Sequence, residues 1–391
     1  MNLYFFNNNN HLKMETTSSF YSNDKSTSSM IESQSLVDPQ DKSRFHSLIG
    51  IGAPIVDIIA EVDKESIKKY KLKWGEVVTV DQTNIEFFSE LESTFQVTYI
   101  PGGAIQNTLR VCSWCLNMEP SNQNKYSITM LGATGDDTNR KKIVKALKKE
   151  KIKPLLQAIP NMNTSRCGVG IYKKEKCLLP DIKTSNCLTE EFISEHEKEI
   201  FKNDALLIEG YFLKERFDIC KHLCMEFTKE SKFIILTLNA EFIIQKHYDE
   251  ILEIAKLSDM IVGNMEEFEA LAGTKKIEKK ETIFEHVFRK LTEKERLIVV
   301  TDGSKGSFIS KYDYKRNKID FISQSYPCIL QSDEIKDLNG AGDAFLGGFL
   351  SQFMKGSSLY SCCRAGNDAA YVILQNIGCS FPEDHKIDFD L

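Results

Sequence analysis

The sequence predicts an α/β protein: a mostly parallel sheet with helices on both faces and a small second sheet beside it. Three observations carry this. Unbroken apolar runs rich in β-branched residues recur at 205–208, 233–238, 260–263 and 297–301. Such runs suit strands buried on both faces, where no polar alternation is needed. Amphipathic stretches separate them, the alternation of βα units. Two pairs of half-polar segments, 57–63 with 76–81 and 166–172 with 176–182, break that rhythm and suggest inserted lid strands.

Taken in order, residues 1–44 are rich in Asn, Ser and Thr and cannot bury enough apolar surface to order themselves, so a disordered tail is expected. The folded unit then runs over 45–391, with its lid from about 57–101 and 164–183. A first buried strand is expected near 47–52 and another over 127–132, followed by a helix over 138–151 with Ile143, Val144 and Leu147 on one face. A helix near 217–229 follows the 205–208 strand, and a last long helix runs from about 340 to 354.

The chain of 391 residues carries a net charge of −6, which argues against a nucleic-acid partner. No run approaches the ~18 apolar residues of a membrane span. Eleven cysteines without a secretory signal read as reduced thiols of a cytoplasmic protein, with the nucleus as the alternative compartment. Cys112 and Cys115 share a helix face, and with no second pair of ligands at metal spacing they read as small buried hydrophobes. The histidines are scattered, and no Ser-His-Asp or Cys-His hydrolase pattern accompanies them.

Three stretches carry chemistry. Pro101-Gly102-Gly103 precedes a helix with Asn107 one turn in, which lets a ligand approach the backbone and places an amide near its hydroxyls; a plain tight turn is the alternative. Asn339-Gly340-Ala341-Gly342-Asp343 opens the last long helix. Small residues there free backbone N–H donors for an anion, and Asp343 beside them is placed to take a proton from a hydroxyl attacking a phosphate. The helix start is expected to keep it ionised; simple helix capping is the alternative. Asn264 and Glu267, at the start of a helix after the 260–263 strand, can hold hydrated Mg²⁺ or form an N-cap. The Gly-x-x-x-x-Gly-Lys phosphate loop is absent, which excludes only the P-loop way of holding a nucleotide.

Together these pieces resemble the PfkB/ribokinase-like carbohydrate kinases, and among them the adenosine kinase group. The resemblance rests on 50–57, 101–107, 263–267 and 339–350, with 238–242 and 378–382 as the stretches nearest that group. It implies a ribokinase-like Rossmann-type αβα sandwich with a small β-sheet lid, and transfer of phosphate from ATP to adenosine, giving AMP for purine salvage. It implies Asp343 as the base and Gly340, Ala341 and Gly342 as the anion hole. Asp57, Gly102, Gly103, Asn107 and Phe212 would line the nucleoside pocket. Thr301, Asp302, Gly303 and Asn339 would face ATP. Asn264 and Glu267 would hold Mg²⁺ through water. A potassium ion beside the nucleotide is a further implied cofactor, and a monomer is expected. Three positions depart from the family pattern: Leu338 where a threonine is usual, Lys176 where a lid arginine is usual, and Val77 where a lid glutamine is usual. A kinase for another nucleoside or a sugar, and a nucleoside-binding protein with weak turnover, are the alternative functions.

Overall fold

The computed structural model describes residues 45–382 except 79, 119–124, 174, 274–279, 328–329 and 332–333. The tail expected over 1–44 lies outside the described residues. In chain order the strands are β1 (Ser47–Ile51), β2 (Ile55–Glu61), β3 (Thr98–Gly102), β4 (Ser127–Gly135), β5 (Ile152–Ile159), β6 (Arg166–Tyr172), β7 (Glu175–Asp181), β8 (Ala205–Glu209), β9 (Phe233–Thr237), β10 (Met260–Asn264), β11 (Arg296–Thr301), β12 (Ser307–Asp313) and β13 (Lys318–Ser325).

The large sheet has the order β13-β12-β11-β10-β9-β8-β1-β4-β5. It is parallel from β11 to β5, and an antiparallel hairpin, β12 and β13, closes one end. Successive strand residues point to opposite faces. Thus Leu207 of β8 joins the apolar cluster containing the helices Ala104–Asn117 and Ala341–Lys355, while Leu206 and Ile208 join the cluster of Phe217–Lys229 and Tyr248–Leu257 on the other face. Both faces are dry, which is why these strands read as continuous apolar runs. Register pairs Glu209 with Thr237 and Asn264 with Thr301, so their carboxyl ends form one ledge.

The small sheet has the order β3-β2-β6-β7. The strand expected over 76–81 is not among the described strands. That stretch touches β7 through a single bridge, Val77 to Leu178, and then turns, with the Asp81 carboxylate accepting the Thr83 N–H at 2.7 Å. The sheet takes Thr98–Gly102 instead, an edge strand containing Pro101. An edge tolerates proline, because one side of the strand needs no donors.

Cys112 and Cys115 are buried on the Ala104–Asn117 helix, and burial pushes the Cys115 thiol up to about 12. Among the described residues no His, Cys, Asp or Glu cluster can hold a metal directly, and no helix is long and apolar enough to cross a membrane.

Candidate active site

The site lies on the ledge of strand ends, where parallel sheets bind ligands. A small cavity there is lined by Thr237, Asn264, Glu267, Thr301, Gly342 and Asp343 among others. Sequence distance is no guide to this grouping, since the lining comes from three strand ends and two helix starts.

Asp343 sits in the first turn of Ala341–Lys355, whose N-cap is Gly340 at φ 80°. Glycine reaches this left-handed turn without strain. No side chain caps the helix, so its first N–H groups remain free for an anion. Asp343 therefore does not act as the cap. Its buried carboxylate instead accepts a hydrogen bond from Asn107 Nδ2 at 3.0 Å. Burial raises the Asp343 carboxyl above the usual range, and the Asn107 bond opposes this only in part. Desolvation is the largest influence on this carboxyl and acts against the field of the helix start. Asn107 Oδ1 is buried without a protein partner, an acceptor left over at the same spot.

Asn107 is held there by the turn before it. Gly103 has φ 95°, and a side chain there would meet the Ala53 carbonyl at 2.1 Å. Gly102 is equally restricted, because a Cβ would lie 2.6 Å from the Asp57 carboxylate. Asp57 points from β2 across this turn. Desolvation, with the nearby Asp337 charge, pushes its carboxyl up to about 7 against the pull of Arg110 and Lys176.

Asp337 was not singled out in the sequence. Its carboxylate accepts the N–H of Asn339 at 3.0 Å and of Gly378 at 2.8 Å, and lies 2.5 Å from Lys176 Nζ of β7. One side chain thus ties the loop before the Ala341–Lys355 helix to the 378–382 segment and to the small sheet. That segment is clamped in turn by Arg110, which donates to the Cys379 carbonyl at 3.0 Å and grips Glu150 with two bonds.

Asn264 and Glu267 form a capping box: Glu267 N–H donates to Asn264 Oδ1 at 2.9 Å, and Asn264 N–H to Glu267 Oε2 at 2.9 Å. Burial pushes the Glu267 carboxyl up to about 7. Thr301 lines the cavity, whereas Asp302 and Gly303 continue past it into a short turn, Asp302 lying 3.6 Å from Lys305.

Phe212 is 1% exposed and belongs to the apolar cluster beneath the sheet, so the structure places it in the core rather than on the ledge. Its half-buried neighbour Tyr211 packs against the same cluster from outside, with its ring centroid 5.9 Å from that of Phe242. Burial, followed by the charges of Glu267, Glu209 and Asp343, raises the Tyr211 hydroxyl well above its ordinary value. The helical turn Gly210–Leu213 sends the two adjacent side chains in different directions.

The pfkB family carbohydrate kinase model matches residues 72–386. The chain belongs to this family. Relatives of this pfkB kinase include Arabidopsis thaliana adenosine kinase 2, 28% identical over 351 residues, covering 88% of this chain and 97% of the relative. Dictyostelium discoideum adenosine kinase is also 28% identical, over 86% of this chain and 97% of its own. Among solved structures, apo adenosine kinase from Trypanosoma brucei brucei superposes with a TM-score of 0.75 at 25% identity, over 85% of this chain and 99% of that one. The expected ribokinase-like α/β architecture agrees with these matches. Of the departures from the pfkB pattern, Leu338 is 52% exposed, so the replacement leaves an apolar side chain in solvent two residues before the Gly340 N-cap, while Lys176 is paired with Asp337.

Proposed function

We propose that this pfkB kinase transfers the γ-phosphoryl group of ATP to the 5′-hydroxyl of adenosine, giving ADP and AMP, as a step of purine salvage in the cytoplasm. The observation that carries the reading is the buried Asn107–Asp343 pair at the uncapped start of the Ala341–Lys355 helix. Near-full-length similarity to adenosine kinases supports the choice of acceptor.

In this reading Asp343 accepts the 5′-hydroxyl proton as the hydroxyl oxygen bonds to the γ-phosphorus and the bond to the β-phosphate oxygen breaks. A base whose pKa is raised toward neutrality holds that proton better than an ordinary carboxylate. The backbone N–H groups at Gly340, Ala341 and Gly342 take the charge of the transferred group, at no cost of reorganisation. Asp57 binds the ribose hydroxyls, Gly102 and Gly103 let the nucleoside approach, and Tyr211 offers its ring to the base, with Phe212 supporting it from the core. Thr301, Asp302, Gly303 and Asn339 face ATP. Mg²⁺ accompanying ATP supplies charge neutralisation across the phosphates. Asn264 and Glu267 fit it through water: the Glu267 carboxylate is desolvated, takes N–H donors from Asn264, and lines the cavity.

The test is turnover of adenosine, inosine, guanosine, ribose and fructose with ATP and Mg²⁺. Preferred turnover of adenosine with AMP as product is expected; preferred turnover of a sugar would reassign the acceptor. One observation favours a second reading, a nucleoside binder with little turnover: Lys176 is engaged by Asp337 rather than free for phosphate. No turnover of any acceptor, with thermal stabilisation by adenosine, would select it.

A further inference from the structure

Glu209 ends β8 with a charge buried to 2% exposure, directly after the apolar run 205–208. Its two carboxylate oxygens are divided between separate segments. Oε1 accepts the Ala53 N–H at 3.0 Å, and Oε2 accepts the Ile105 N–H at 3.3 Å. Among the described residues no cation pairs with it. Ala53 lies in the loop from β1 that leads into β2 and Asp57. Ile105 is the second residue of the helix that carries Asn107, and that helix has no side-chain cap of its own at Gly103. The carboxylate therefore serves as the missing cap from another strand, at the end of the helix where negative charge is favoured. Packing at this junction is tight: a Cβ on Gly52 would stand 2.8 Å from Glu209 Oε1 and 2.7 Å from Ile105 Cγ1.

We infer that Glu209 is a positioning residue for the acceptor: it fixes the segment bearing Asp57 against the one bearing Gly103 and Asn107. Among the described residues its hydrogen bonds go to Ala53 and Ile105, not to the strand ends at Asn264 and Thr301. Loss of the tie should act on acceptor binding and leave ATP binding alone. A buried carboxylate is costly to hold, and burial pushes this one up to about 6. The two backbone N–H donors and the helix start offset that cost, and the carboxylate holds both segments at one junction.

The inference rests on the kinase reading, and the experiment separates their failures. Absence of turnover by the unmodified protein bears on that reading alone. Glu209→Gln keeps the shape and one acceptor oxygen, but sets an amide NH₂ against the second backbone N–H; Glu209→Ala removes both acceptors. The acceptor KM is expected to rise several-fold in Glu209→Gln and about tenfold or more in Glu209→Ala, with the ATP KM within about twofold. Amide exchange at Ala53 and Ile105 should quicken in the same order, a readout independent of turnover. Should Glu209→Ala fail to fold, Glu209→Gln decides. Acceptor KM within about twofold of the unmodified enzyme and unchanged exchange in the folded variants would overturn the assignment, as would equal rises in the acceptor and ATP KM values.

Discussion

Asn107 donates its side-chain amide to Asp343 across 236 residues of sequence, at 3.0 Å and out of solvent. The carboxylate is thereby oriented by the Ala104–Asn117 helix and not by its own. Asp343→Asn keeps the shape and an oxygen that can accept the same bond. It also removes a buried charge, so the melting temperature should hold or rise. Turnover should fall about 10²-fold or more, the range of general-base catalysis, with a smaller change in adenosine affinity. Single-turnover rate and adenosine titration on this variant check the point, and a variant retaining most of its rate would exclude Asp343 as the base.

Removing the donor should act through the same carboxylate. The Asn107 bond lowers the Asp343 pKa, and desolvation raises it. In Asn107→Ala that lowering bond is lost, so the acid limb of the kcat/KM profile should move to higher pH. The adenosine KM should rise as well, because Asn107 Oδ1, an acceptor without a protein partner, goes with it. An acid limb that stays in place would show that the bond does not tune the base.

Tyr211 and Phe212 should separate cleanly. Phe212→Ala empties a fully packed position and should cost about 3–5 kcal/mol of stability. Tyr211→Ala, at a half-buried position, should keep most of the stability and, in the proposed reading, raise the adenosine KM about tenfold, the scale of one lost aromatic contact. Binding lost with Phe212→Ala at unchanged melting temperature would restore the original assignment.

At Leu338 the side chain stands in solvent, so Leu338→Thr should shift stability by less than about 0.5 kcal/mol. If the missing hydroxyl matters to the nucleotide side, the variant should gain rate or change its response to potassium. Rate measured over a potassium titration decides this, and superimposable curves would make the leucine neutral.

The parts of the fold legible in the sequence were those whose local pattern and final environment agree. Residues 205–208, 233–238, 260–263 and 297–301 are apolar throughout because both faces of their sheet are covered. Residues 76–81 misled because β-branched residues also suit a short contact: Gly75, Glu76 and Val78 make three backbone hydrogen bonds with Lys176 and Leu178 around the Val77 bridge, too few for a described strand. Thr98–Gly102 was hidden by Pro101, which an edge strand admits and a central strand does not. In the site, the glycine turns announced Asp343 and Asn107, since a backbone motif is local. Glu209 and Asp337 were silent because their partners, Ala53, Ile105, Gly378 and Lys176, are distant in sequence. Only the oddity of a charge ending an apolar run pointed toward Glu209.

Asp57 should make stability and binding oppose one another, with a defined pH dependence. Desolvation and the Asp337 charge hold its carboxyl at about 7 in the folded chain, against about 3.9 for an unfolded aspartate. The folded state thus binds the proton more tightly. Between about pH 4 and pH 7 the unfolded chain has released its proton and the folded one has not, so stability falls as pH rises across this window and levels off above it. Asp57→Asn carries no such charge. Its melting temperature should exceed that of the unmodified protein at about pH 8, and the gap should close as the pH approaches about 4. At the same pH 8 its adenosine affinity should drop, because an amide replaces the ionised acceptor that the ribose hydroxyls require in this reading. Melting curves from about pH 4 to pH 8, with adenosine titration at the upper end, test both halves. A gap that does not change with pH would mean that Asp57 is not held protonated by its surroundings. Stability gained with affinity intact would remove it from the ribose site.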